Sequence, residues 1–250
     1  MNQQPESHPK SWSYGELWDL LDQNRKPLGK THPRGLKLPE GSYHVISEIW
    51  TVDPLNRILL TLRSADKEFY PNLWEVTAGS VLAGESSRDG AVRELLEETG
   101  LKEEPDALHL IGIFDFPGVF VDIYAHRMKV DSVNLQQGET SSYRFATLEQ
   151  IDELIAQGKM APHIIHHLHA CREGLQFFLH PAVEPGRYRH YKGGEYEALG
   201  MATHSETGEP MVVYRALYGD QKVWVRPATM WNDLILRGNI ALRRFSRMEE

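Results

Sequence analysis

Apolar positions fall along this chain in three textures. Between residues 43 and 130 they form short dense runs, over 43–52, 58–62, 74–77, 108–116 and 119–130. Runs of this length, rich in β-branched and aromatic residues, predict strands. The turn Asp53-Pro54-Leu55-Asn56 makes the first two a hairpin. A weaker alternation over 16–21 predicts one more strand, followed by a turn at 22–27 and a polar loop over 28–41. Residues 1–13 read as a tail.

The second texture has a helical period. Ser86 and Ser87 are helix-starting residues, Asp89 supplies negative charge to the first turn, and Gly100 is a stop. Between them Val92, Leu95, Leu96 and Thr99 fall on one face, so a helix is predicted over 87–99. Thr147 caps another over 148–157. A third, over 162–179, carries the stripe Ile164, Leu168, Cys171, Leu175 and Phe178. The four histidines His163, His166, His167 and His169 read as an exposed face of that helix, not a zinc site. The alternation of elements predicts an α/β fold with a mixed sheet between helices.

Past Pro181, Pro185 and Gly186 the texture changes again. Short aromatic-rich runs at 186–190, 195–204, 211–217 and 223–225 are separated by Gly193-Gly194 and Gly219-Asp220. Two domains are predicted, one over 14–180 and a small all-β module over 186–235, near the lower size limit for independent folding.

The net charge of −8 argues against non-specific binding to nucleic acid or membranes by the chain as a whole. One cysteine, Cys171, excludes an intrachain disulfide and points to a reducing compartment. The polar start and the lack of a long apolar run make the cytoplasm the expected location. A homodimer is compatible with the sequence.

Candidate chemistry sits on the helix over 87–99. Glu94, Glu97 and Glu98 are spaced i, i+3 and i+4, which places three carboxylates on one side. Like charges so close repel. A hard divalent cation, Mg²⁺ or Mn²⁺, turns that repulsion into coordination and bridges to substrate phosphates. Gly79, ending an extended run, leaves its carbonyl as a further ligand.

Spacing then decides the family resemblance. Gly79, Glu85, Arg93-Glu94-Leu95, Glu97-Glu98 and Gly100-Leu101 fill every fixed position of the Nudix box. Seven of these nine positions require one residue type, and the two leucines only a bulky apolar one. Seven such positions match by chance about once in a million chains of ordinary composition. The chain resembles Nudix hydrolases over roughly 14–160, which implies an α/β/α sandwich and metal-dependent cleavage of a diphosphate. Flanking motifs, among them residues 28–35, Tyr43-His44, Leu62-Arg63-Ser64 and Pro71-Asn72-Leu73-Trp74, resemble the branch that includes isopentenyl-diphosphate isomerase.

The resemblance implies Glu97 and Glu98 as metal ligands, Glu94 as ligand or general base, and the Gly79 carbonyl as ligand. Glu85 and Arg93 would tie loop to helix. Lys30, Arg63 and Lys67 would bind diphosphate oxygens, and Glu139 would be an extra ligand or the base for water. His32 and His44 would line the pocket. The isomerase's cysteine is absent from residues 74–79, and Cys171 reads as a core residue, so hydrolysis is expected over isomerisation. A nucleotide-sensing protein without turnover is the alternative of a different class. The last segment resembles a small bacterial domain of unknown function, with an SH3-like barrel expected; Tyr191-Lys192-Gly193-Gly194-Glu195-Tyr196 and the stretch from Val212 to Gly219 carry that match.

Overall fold

The structure, a computed structural model, describes residues 15–248. The tail read over 1–13 lies outside them. The described chain opens on an antiparallel pair, β1 (Leu17–Leu21) and β2 (Pro27–Pro33). β2 occupies part of what the sequence reads as loop. Its residues are almost all exposed, so no apolar alternation marks it. The turn before it is set by Asp22, whose carboxylate accepts the backbone N–H groups of Asn24 and Lys26.

The central strands follow: β3 (His44–Val52), β4 (Ile58–Arg63), β5 (Trp74–Glu75) and β6 (Thr77–Ser80). After them come helix α1 (Ser87–Thr99), β7 (His109–Phe116), β8 (Val119–Arg127) and β9 (Thr140–Ala146). β3 is the axis. It pairs in parallel with β8 along its whole length, and antiparallel with β6 through Ile46, Ser47, Glu48 and Ile49. The predicted hairpin is one only at its mouth, where Val52 faces Ile58. Beyond that point β4 leaves to pair with β5 and β9. β9 is largely polar and exposed, which hid it from the apolar pattern.

Helices cover both faces of the sheet, as an α/β/α sandwich requires. On one face α1 sets Ala91 and Leu95 against Ile49, Leu59, Leu108, Leu110 and Tyr124. Leu96, placed by the sequence on this buried face, lies outside it and is 43% exposed. At 100° per residue Ala91, Leu95 and Thr99 hold the centre of the stripe, which turns Leu96 to its edge. The other face is covered by α2 (Leu148–Ala156) and α3 (Pro162–Leu179). There Ile151, Leu154, Ile164, Leu168, Cys171 and Leu175 pack on Trp50, Leu60, Val121 and Ile123. α2 begins with the expected cap: Thr147 and Gln150 bond each other's backbone N–H reciprocally.

The C-terminal region builds β10 (Gly186–His190), β11 (Glu195–Thr203), β12 (Pro210–Ala216), β13 (Val223–Pro227), a one-turn helix at Ala228–Trp231, β14 (Leu234–Arg237), β15 (Ile240–Arg243) and β16 (Phe245–Arg247). Its sheet runs β13-β12-β11-β10-β16 and stays open, so the expected barrel is not closed. The last strand of that sheet lies beyond residue 235, where the sequence reading stops. β14, β15 and β16 are three or four residues long, too short to carry a readable alternation. Trp231 stacks on Phe245 with centroids 3.9 Å apart, in a small core with Tyr188, Val212 and Tyr214.

This region leans on the sandwich. Phe177 of α3 joins its core, and Leu234 and Leu236 of β14 pack against the cluster beneath α1. His109 Nδ1 meets Asp233 at 2.7 Å, and Arg243 donates to Glu173 at 2.7 Å. No helix of the described residues is long and apolar enough to cross a membrane.

Candidate active site

Local sequence fixes where α1 starts and stops. Ser86 and Asp89 form a capping box, and Gly100 closes the helix at φ 71°, the left-handed conformation that glycine enters without a Cβ penalty. The loop before α1 is held from two directions. Leu17 accepts the N–H of Ala83 at 2.7 Å, and Asp19 accepts that of Gly84 at 2.8 Å, so the β1–β2 pair clamps it from outside. From inside it is held by Arg93.

Arg93 is the hub of the site. Its Nε donates to Glu85 Oε1 at 2.8 Å and its Nη2 to Glu85 Oε2 at 3.0 Å. Nη2 also donates to the Ser80 carbonyl at 2.9 Å, while Nη1 reaches Glu94 at 2.9 Å and Glu97 at 3.3 Å. One planar guanidinium therefore joins β6, the loop and two of the three acidic side chains. Its hydrogen bonds hold the Glu85 carboxyl below the usual carboxylate range.

Gly79 lies directly under Glu94. A Cβ at residue 79 would overlap the Glu94 carboxyl, so this acid reaches its position only because residue 79 has no side chain. Burial raises the Glu94 pKa, against the pull of Arg93. Glu98 is more extreme. Burial first, then the charges of Glu75 and Glu94, push it well above the carboxylate range. Its Oε2 is buried without a hydrogen-bond partner among the described residues. Glu97, the third acid, is exposed and reaches back to Arg93.

The predicted phosphate-binding cations divide. Lys67 pairs with Glu139, and Ser64 N–H donates to the Glu139 carbonyl at 2.9 Å, so strand β4, Lys67 and the loop carrying Glu139 are tied together. Arg63 Nη1 donates to both oxygens of Glu75, at 2.9 and 2.7 Å. Lys30 stands apart: it is exposed on β2, and no described contact joins it to Arg63, Lys67 or α1.

A cleft of about 550 Å³ opens beside Gly79. Arg34, Arg63 and Glu75 line its charged end, Tyr70 sits there against His163, and Phe114 and Phe116 give it an aromatic end. Three of the four helix histidines line it. His166 and His169 are exposed as expected, but His167 is buried and bonded to Glu48 at 2.5 Å, which corrects the reading of all four as a solvent face. His163 is half-buried, and burial, with His167 and Arg63 nearby, lowers its pKa to about 4. His44 does not line this cleft: it is buried and stacked on Trp18 with centroids 3.9 Å apart, and His32 is on β2, bonded to the Leu36 carbonyl at 3.2 Å. Cys171 is fully buried, and burial pushes its thiol pKa up.

Sequence reasoning passed over Glu48, Glu75 and His167. Glu48 had a signal, being the one ionisable residue inside the apolar run 45–52. His167 had a weaker one, at the flank of the apolar stripe beside Leu168.

Among the described residues no three His, Cys, Asp or Glu side chains converge to cage a metal by themselves. Mg²⁺ does not require such a cage, since it keeps waters and shares its ligands with substrate phosphates. The unpartnered Glu98 oxygen beside Glu94 fits a cation of that kind.

The NUDIX domain model matches residues 43–168, half of the chain, and includes every box residue and the cleft histidines. The chain belongs to the Nudix family. It is 34% identical over 151 residues to an uncharacterized Nudix hydrolase of Listeria monocytogenes, a match covering 59% of this chain and 89% of that relative. A Deinococcus radiodurans crystal structure superposes with a TM-score of 0.50 at 21% identity, over 58% of this chain and 92% of that one, a likeness of fold. Residues 186–247 match a family described as a protein of unknown function, DUF1653. A Bordetella bronchiseptica structure of that family is 40% identical, covering 26% of this chain and 87% of that one, with a TM-score of 0.25. This Nudix hydrolase is thus joined to a module whose family names no chemistry, and the isomerase-like branch is not confirmed by these matches.

Proposed function

We propose that this Nudix hydrolase is a divalent-metal-dependent pyrophosphohydrolase, acting on a nucleoside diphosphate linked to another moiety or on a related organic diphosphate. The observation that carries the reading is the Glu94–Glu98 pair: one carboxyl seated over Gly79, the other with a buried oxygen lacking a partner. Burial raises the pKa of both acids, and a divalent cation at the unpartnered Glu98 oxygen would offset that cost.

Glu94, Glu97, Glu98 and the Gly79 carbonyl would hold Mg²⁺ or Mn²⁺, with Glu139 as a further ligand. Bound there, the cation neutralises diphosphate charge and acidifies a water. The rest of the work belongs to the chain. Arg93 keeps Glu94 and Glu97 oriented. Arg63 and Lys67 face phosphate oxygens by exchanging Glu75 and Glu139 for the substrate, through charge-assisted hydrogen bonds. Glu94 or Glu139 accepts the proton of the attacking water.

The test is a panel of diphosphates, each incubated with Mg²⁺, with Mn²⁺ and with EDTA, followed by ³¹P NMR in ¹⁸O-labelled water. Metal-dependent release of a phosphate carrying one ¹⁸O supports the reading. Turnover that survives EDTA, or binding of nucleotides without any turnover, would reject it, the second in favour of a sensor.

A further inference from the structure

Glu48 carries a carboxyl into the middle of β3, where its side chain is wholly excluded from water. Its Oε1 accepts the indole N–H of Trp50 at 2.7 Å, and its Oε2 meets His167 Nδ1 at 2.5 Å. An indole nitrogen only donates, so Oε1 is an acceptor; where Oε2 accepts as well, the proton of the second bond belongs to Nδ1. That bond fixes both the ring's orientation and its tautomer, leaving Nε2 with a lone pair when the ring is neutral.

The ring's surroundings give its position along the cleft. Arg63 is bonded to Glu75, Glu75 lies 3.6 Å from His163 Nε2, and the rings of His163 and His167 are 5.8 Å apart. Phe114 follows, its ring centroid 5.0 Å from that of His167. His167 therefore stands two side chains beyond the charged end, where the aromatic end begins. A buried acid–imidazole pair is a poor device for merely tying a helix to a sheet, since apolar packing of the same volume does that at less desolvation cost. Here one edge of the imidazole lines a cleft, which a structural tie does not require.

Resting on the pyrophosphohydrolase reading, we infer that His167, oriented by Glu48, is the specificity-determining contact for the non-phosphate half of the substrate. Nε2 accepts a hydrogen bond from a nucleoside hydroxyl or base N–H seated against Phe114 and Phe116. Glu48 is the positioning residue. It touches no substrate and acts by holding the ring.

The experiment uses the full chain, labelled with ¹⁵N-histidine, and two non-hydrolysable probes in Mg²⁺. α,β-Methylene-ADP carries a nucleoside, and methylenediphosphonate does not. The His167 Nε2 resonance, assigned by its loss in His167→Gln, is expected to move with the first probe and stay with the second. Glu48→Gln offers one acceptor to two donors, so it should weaken α,β-methylene-ADP at least tenfold and leave methylenediphosphonate unchanged. The wild-type titration needs no variant, so a misfolded Glu48→Gln does not stall the test. The inference is overturned if α,β-methylene-ADP saturates the protein without moving His167, if it binds no tighter than methylenediphosphonate, or if folded Glu48→Gln weakens both probes equally. The underlying reading fails in a separate way, when no diphosphate in the panel is turned over although His167 responds.

Discussion

Gly79 and Glu94 claim the same space, the glycine from β6 and the carboxyl from α1. The Arg93 ties depend on that approach, because Arg93 can span Ser80, Glu85 and Glu94 only while strand and helix lie this close.

Gly79→Ala is therefore expected to displace the Glu94 carboxyl. A shift near 1 Å in a positioned group costs on the order of a hundredfold in turnover. The overpacking should cost about 1–3 kcal/mol of stability. Pairing it with Glu94→Asp, which shortens the obstructing side chain, should restore much of the melting temperature and little of the turnover. Wild-type turnover by folded Gly79→Ala would refute the placement.

Glu98→Gln should separate stability from activity. Replacing a buried acid that faces Glu75 and Glu94 removes a like-charge cost, so metal-free stability should rise, by about 1 kcal/mol. Turnover should fall at least about a hundredfold if the residue holds the cation. Mg²⁺ at a hundred times its Kd should stabilise wild type by roughly 2.7 kcal/mol and leave the variant nearly unmoved. Thermal melts with and without Mg²⁺ read both effects.

Arg93→Lys keeps the charge and loses the fork. A lysine cannot meet both oxygens of Glu85, the Ser80 carbonyl and Glu94 at once. Roughly 2–4 kcal/mol of stability should be lost, with turnover lost alongside it. Urea denaturation of the folded variant decides the matter, and a change below about 0.5 kcal/mol would contradict the hub role.

Acid should weaken the fold through His44. Burial, with smaller contributions from Arg34 and His32, lowers its pKa to about 4 from an ordinary 6.5. A folded-state pKa below the unfolded one means that the contribution is complete above about pH 6.5 and is lost as pH falls toward 4. Between pH 6.5 and 5 the loss from this group should be about 1–2 kcal/mol. His44→Phe retains a ring against Trp18 and should show a shallower decline over the same window. Equal slopes for the two proteins would remove His44 from the explanation.

A chain cut near Val183 keeps every box residue, and the domain boundaries read from sequence predict that it folds alone. The packing argues for a different outcome. Leu234 and Leu236 would be stripped from the cluster beneath α1, and His109 would lose Asp233. Two half-buried leucines are worth roughly 2–4 kcal/mol. We expect a truncated protein that binds methylenediphosphonate but melts well below full length. Equal melting temperatures would make the module a passenger.

The sandwich was legible because its strands are apolar on two faces and its helices are capped by residues that do little else: Ser86, Asp89, Gly100 and Thr147. The acidic site was legible because the box is a spacing pattern on one helix, where geometry follows from sequence distance. Most of what stayed hidden, Glu48 apart, has no local signature. β9 pairs through polar residues, and β2 is exposed along its length. The partners of Arg63 and Lys67 lie on other elements, Glu75 on β5 and Glu139 before β9. The His167–Glu48 bond spans 119 residues, which no window can see.

The contact between His109 and Asp233 joins residues 124 positions apart, and β16 joins the edge of its sheet later still. During synthesis the parallel β3–β8 pair is complete long before β14 leaves the ribosome. For that interval the flank of the α1 cluster that later takes Leu234 and Leu236 is uncovered and faces water or a chaperone. A stalled or prematurely terminated chain would present this surface to the quality-control machinery as an unfinished product, though its box was translated in full.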